Sequence, residues 1–155
     1  MRVDSFSLAL TDSLLDVQLV RESGHNYRGE VTNSPESVVR LMNRVFQLGH
    51  RAEEYCYLLC FNTKSKLLGV FEVSHGTVNA SLLSTREIFM RALLIGAVHV
   101  IVVHNHPSGD PTPSNDDIST SRKIKDAGQL LGVKLLDSIV VCANSYSSLK
   151  EQGQL

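Results

Sequence analysis

Downstream of residue 33, the apolar positions of this chain switch between a helical period and short, nearly continuous strand-like runs. Ser34-Pro35-Glu36 has the make-up of a helix start: Ser34 suits the N-cap, Pro35 a first turn that needs no amide proton, and Glu36 the positive end of the helix dipole. Val38, Leu41, Met42, Val45 and Phe46 repeat at helical spacing, and Gly49 is expected to close the segment. The runs YCYLLCFN (55–62) and LLGVFEV (67–73) read as strands, and the polar residues 63–66 between them are short enough for an antiparallel hairpin. Ser84-Thr85-Arg86-Glu87 predicts a capping box and a second helix with Ile88, Phe89, Ala92, Leu93 and Ile95 inward and Gly96 at its end.

Three further elements complete the pattern: a β-rich run at 98–103, a helix from about Asn115 to Leu131, and a strand at 133–142. Ile118, Ile124, Ala127 and Leu131 form the expected inner face of that helix, with Gly132 as its stop. Strand, helix, strand at these lengths implies parallel connections beside the hairpin. The expected fold class is therefore α/β, a mixed β-sheet sandwiched by helices. Residues 1–33 read as an N-terminal extension to a domain spanning 34–155. Within that extension the alternation from Val17 to Arg21 suggests an added strand and 24–30 a loop, while the tail from Asn144 reads as a loop with a frayed end.

The candidate chemistry concentrates between Val98 and Asp117. Side chains alternate along a strand, so His104 and His106 face one side if the extended conformation continues, and Asn105 faces away. Pro107, Gly109, Pro111 and Pro113 then enforce a turning loop, after which Asp117 arrives as a third potential ligand. His, His and Asp with an open fourth position is a catalytic zinc pattern, because structural sites normally have four protein ligands. The competing reading is plain: Ser114-x-x-Asp117 also has the form of a helix N-terminus, with Ser114 as cap. His75 and His99 lack ligand-spaced partners and stay outside the predicted site.

Composition narrows the function classes. Hydrophobic residues at 43% and charged residues at 20% describe a globular chain. A formal net charge of -1 lacks the bulk basic footprint of a nucleic-acid binder, so DNA binding is not supported by charge. Cys56, Cys60 and Cys142 have no CxxC spacing and sit in strand-like runs, which points to reduced core thiols and a cytoplasmic setting. No run has the length to span a membrane, and Asp4 and Asp12 interrupt the N-terminal apolar stretch where a leader would lie.

His-x-His, seven residues, Ser, two residues, Asp is the JAMM metalloprotease pattern, and HNHPSGDPTPS followed by Asp117 resembles the RadC-like branch of the JAB/MPN superfamily. The resemblance extends to VSHGTVNAS (73–81), REIF (86–89) and LLGVKLLDSIVV (130–141). It departs where the family often has His-Pro and this chain has Ser84-Thr85, and where the family usually has Asp-His and this chain has Asp137-Ser138. The resemblance implies a JAB/MPN, cytidine-deaminase-like fold and a Zn²⁺ ion on His104, His106 and Asp117. It further implies Glu54 as general base and then acid, and Ser114 as hydrogen-bond donor to an oxyanion, with a peptide or protein substrate cleaved at a peptide or isopeptide bond. Glu72 is the rival base, since an acid within LLGVFEV needs a partner. Asp137 is weighed as an acceptor for a ligand histidine or as a backbone contact.

Two other classes compete. A non-catalytic MPN scaffold or a DNA-repair-associated accessory protein would share the fold without the chemistry. A nuclease is suggested only by the letters HNH, which nucleases of that name do not place contiguously. Deamination is excluded, since it needs His-x-Glu and Pro-Cys-x-x-Cys, and His106 stands at the glutamate position.

Overall fold

Alternation along two central strands sorts the core onto two faces of one sheet. The computed structural model describes residues 1–10, 17–29, 34–76 and 83–155. The elements are β1 (Arg2–Leu10), β2 (Val17–Asn26), α1 (Pro35–Phe46), a short 3₁₀ turn (Leu48–His50), β3 (Glu54–Phe61), β4 (Leu67–Gly76), α2 (Thr85–Leu94), β5 (His99–Asn105), α3 (Asn115–Leu131), β6 (Lys134–Val141) and β7 (Tyr146–Ser148). Among the described residues seven strands form one sheet in the order β2-β1-β4-β3-β5-β6-β7. β5 runs parallel to β6 and antiparallel to β3, so the sheet is mixed.

Tyr57, Leu59, Phe61, Ile101 and Val103 pack with Val38, Leu41 and Met42 of α1 on one face. Cys56, Leu58, Cys60, Val100 and Val102 pack with Ile88, Phe89 and Ala92 of α2 and Ile124 of α3 on the other. The architecture is thus α/β with helices on both faces, consistent with a JAB/MPN fold. The strands are buried on both sides, which is why their sequences read as continuous apolar runs. Each fully buried aliphatic or aromatic side chain here contributes about 1.5–3 kcal/mol of burial free energy. Truncating Ile101 to alanine, at the centre of the sheet, would cost about 2–5 kcal/mol.

Local chemistry sets the helix ends. Ser34 caps α1 by accepting the Ser37 amide, and Pro35 occupies the first turn. α1 stops at Phe46 rather than continuing to Gly49, because Gln47 takes the left-handed conformation at φ 53° and its amide closes on Asn43. Gly49 is needed for another reason: a Cβ there would lie 2.5 Å from the Cys142 carbonyl oxygen. Ser84 stands at the N-cap of α2 without a side-chain cap hydrogen bond, so the expected capping box does not form.

The inner face of α3 is also shifted from the expected one. Asp117, Thr120, Ser121, Ile124 and Gly128 are buried, whereas Leu131 is exposed, as is Leu93 at the end of α2. The polar half of that face looks onto the candidate site, so apolarity alone could not reveal it.

Both chain termini carry more structure than their patterning suggests. β1 pairs antiparallel with β2 and parallel with β4, and β2 runs through Gly24–Asn26 where a loop was expected. At the other end β7 pairs with β6, and Leu149 is fully buried. Residues 77–81 of the VSHGTVNAS stretch lie outside the described residues.

Candidate metal centre

β5 and the loop after it deliver two imidazoles to one face. The His106 amide donates to the Val141 carbonyl at 3.1 Å, which prolongs the β5–β6 ladder by a residue and keeps His106 extended. His104 and His106 therefore share a face, with Nε2 atoms 3.2 Å apart, and Asn105 faces away. The chain then turns sharply at Gly109, whose φ of +84° suits glycine. That turn brings the Asp110 carbonyl to 2.9 Å from His106 Nδ1. A carbonyl only accepts, so Nδ1 carries a proton; Nε2, facing His104 and Asp117, donates to Asp117 in the charged ring and offers its lone pair to a cation in the neutral one.

Asp117 comes from the first turn of α3. Ser114 Oγ accepts the Asp117 amide at 3.1 Å, and Asp117 Oδ2 accepts the Ser114 amide at 2.8 Å, a complete capping box. The Ser114 hydroxyl also donates to Asp117 Oδ2 at 2.8 Å. The cap and the candidate ligand are thus one structure: the bonds that start α3 also orient its carboxylate.

Asp117 Oδ1 lies 3.4 Å from His104 Nε2, and Oδ2 lies 3.5 Å from His106 Nε2. Burial opposes ionisation of Asp117, but hydrogen bonds to His104 and His106 outweigh it and hold the carboxyl well below the usual carboxylate range. The hydrogen bond with Asp117 raises the proton affinity of His106 against the opposing effect of its own burial. Two ligand atoms about 2.0–2.1 Å from a tetrahedral ion stand about 3.3 Å apart. The 3.2 Å between the imidazole nitrogens matches that spacing, and each nitrogen has a different Asp117 oxygen within 3.5 Å, so His104, His106 and Asp117 could hold a metal ion. Among the described residues this group has three members, which leaves a coordination position for water or substrate.

A cavity of about 30 Å³ adjoins the centre, lined in part by Glu54, His104, Asp117, Thr120, Ser121 and Ser138. Glu54, half-buried at the first position of β3, belongs to the same face as Cys56, whose register partner is His104. Burial first, and then the nearby Asp117, push the Cys56 thiol up to about 12, so it stays protonated and is a poor ligand. Glu72 is elsewhere. It registers with Tyr57 of the α1 face, accepts from the Tyr57 hydroxyl at 3.2 Å and lies 2.8 Å from His75 Nδ1, so the sheet separates it from the imidazoles.

Asp137 is not a partner of either candidate ligand histidine. It accepts the Ser148 hydroxyl and the Lys150 and Ser138 amides, and so anchors the C-terminal tail. Ser138, beside it, faces the cavity and accepts from the Ser121 hydroxyl at 2.9 Å. Sequence reasoning missed Ser121, Ser138 and Asn105. The available signal was polar residues within otherwise apolar runs.

These features define a mixed α/β domain with a His-His-Asp group at the carboxyl end of a parallel strand. Comparison with known proteins gives the family: a family model described as RadC-like JAB domain matches residues 32–154, and the chain belongs to that family. Relatives named UPF0758 protein include one from Desulfitobacterium hafniense, 39% identical over 81% of this chain and 54% of its own length. Others come from Clostridium tetani, 39% identical over 86% of this chain and 57% of the relative, and from Carboxydothermus hydrogenoformans, 42% identical over 77% and 52%. The chain spans about half the length of the curated relatives it matches. No described helix is long and apolar enough to cross a membrane.

Proposed function

We propose that this chain is a zinc-dependent hydrolase of the JAMM type that cleaves a peptide or isopeptide bond. The observation that carries the reading is one arrangement: two imidazole nitrogens 3.2 Å apart, an Asp117 oxygen 3.4 or 3.5 Å from each, and Glu54 lining the cavity beside them. His104, His106 and Asp117 would hold the ion. Bound zinc would supply Lewis acidity, lowering the pKa of water towards neutrality and polarising the scissile carbonyl.

Glu54 takes the proton from the attacking water and later delivers it to the leaving amine, a task that needs a carboxylate beside the reacting atoms on a firm backbone. Ser114 donates to the oxyanion that develops at the carbonyl; its hydroxyl rotates from Asp117 Oδ2, while the Ser114 amide continues to hold that carboxylate. The depressed proton affinity of Asp117 keeps it anionic as a ligand through the neutral range.

The test is turnover of a panel of peptide-bonded and isopeptide-bonded substrates by the zinc-loaded protein and by Glu54→Gln. The expected outcome is cleavage that falls by roughly 10²-fold or more in the variant while its zinc content is unchanged. Equal activity in the two proteins would remove Glu54 from the mechanism.

A further inference from the structure

The β3–β5 ladder ends at the Cys56–His104 pair, two residues short of the start of β3. Beyond it the Glu54 carboxylate makes no hydrogen bond among the described residues, so its position depends on how the backbone on either side is held. One side chain does this from β5. Asn105 Oδ1 accepts the Tyr55 amide at 2.7 Å, and Asn105 Nδ2 donates to the Glu53 carbonyl at 3.0 Å and, more weakly, to the Arg51 carbonyl at 3.5 Å. The orientation of the amide is unambiguous, since an N–H needs the oxygen and a carbonyl needs the nitrogen. Asn105 is 1% exposed, so its own amide group has these peptide partners in place of water.

We propose that Asn105 is the positioning residue for Glu54: by gripping the peptide groups on both sides, it fixes where that carboxylate stands relative to the two imidazoles. The inference rests on the hydrolase reading for its chemical meaning. Its logic is alternation: in His104-Asn105-His106 the outer residues turn to the candidate metal centre, and the middle one, on the opposite face, clamps the segment that carries the base. β4 also holds this segment, pairing Glu54 with Gly76, but the tie between the base and the strand that carries the imidazoles runs through Asn105. Asn105 touches no reacting atom and acts only through Glu54.

The test uses the full chain loaded with cobalt(II), whose visible spectrum reports changes in coordination, and acetohydroxamic acid as probe. This small chelator binds such ions and also hydrogen-bonds a carboxylate beside them. Glu54→Gln is expected to weaken its binding roughly tenfold, the worth of one charge-assisted hydrogen bond. Asn105→Ala is expected to weaken it by a similar factor alone, and by less than about twofold in the Glu54→Gln background, because the two changes remove the same interaction. Cobalt stoichiometry should be unchanged in each. Asn105→Asp, which matches asparagine in shape and keeps the acceptor for Tyr55 but loses the donor to Glu53, should fall between, and it carries the comparison if the alanine variant does not fold. Multiplying losses, or unchanged affinity in a protein that has taken up cobalt, would overturn the role of Asn105 alone. A wild-type chain that takes up no cobalt would overturn the hydrolase reading itself.

Discussion

Asp117 and Asp137 are both buried, at 8% and 1% exposure, yet their surroundings drive them in opposite directions. Asp137 registers with Ile101, on the α1 face, and its partners are neutral donors: the Ser148 hydroxyl and the Lys150 and Ser138 amides. Burial wins there and raises its proton affinity. Asp117 lies on the other face, and its partners include two imidazoles whose nitrogens converge with its oxygens. Those partners overcome burial and depress its proton affinity. Depth alone does not mark a functional carboxylate. What marks it is a set of partners that leaves room for a cation.

The contrast can be broken most forcefully at Asp117. Asp117→Ala is expected to weaken zinc binding by about three orders of magnitude or more, measured with a competing chelator, while the secondary structure stays intact. Asp137→Ala should do the reverse, leaving zinc stoichiometry unchanged and lowering stability by about 3 kcal/mol in urea denaturation. That cost arises because three donors lose a buried acceptor and the tail carrying Leu149 loosens. If Asp137→Ala instead loses metal, the division between the two aspartates fails.

Acidity sharpens the same comparison. His106 has its folded proton affinity raised, chiefly by the bond with Asp117, so its contribution to stability is complete below the ordinary 6.5 and is lost as pH rises through the raised value. Asp117 is depressed, so its contribution is present above the ordinary 3.8 and is lost as pH falls through the lowered value. The zinc-free protein should therefore gain more from this pair at about pH 5.5 than at about pH 8.5. Zinc requires neutral imidazoles, so the stabilisation it adds should be larger at the higher pH. Thermal melts with and without chelator at the two pH values read both signs. The smallest effect is expected from Ser114→Ala, a loss of about 1 kcal/mol from the α3 cap with zinc still bound.

Much of the site is legible because its chemistry coincides with local rules. The two histidines follow from strand alternation, and Ser114-x-x-Asp117 is visible as a helix start, a signature that the structure fills with hydrogen bonds on both sides. The α/β order, the central hairpin and both crossover helices follow from apolar periodicity. What escaped depends on partners distant in sequence or on local irregularity. β1 was hidden because Val3 is its one fully buried side chain among residues 1–9, with Asp4, Ser5 and Ser7 interrupting the apolar positions; the unpaired residue of its irregularity, Glu22, lies in β2. The C-terminal tail looked frayed because its anchor, Asp137, lies in another strand. Asn105 gave no signal beyond being polar in an apolar run, since its purpose is set by peptide groups about fifty residues earlier. Leu93 and Leu131 misled because an apolar residue on a plausible helical stripe need not be covered.

The most direct measurement of the central claim is the metal content of the full chain purified without chelators, by elemental analysis, beside His104→Ala and Asp117→Ala. The account predicts near-stoichiometric zinc in the wild-type protein and its loss in both variants. A folded wild-type protein with no metal, and no uptake when zinc is added, would contradict it and leave a JAB domain that acts as a binding module.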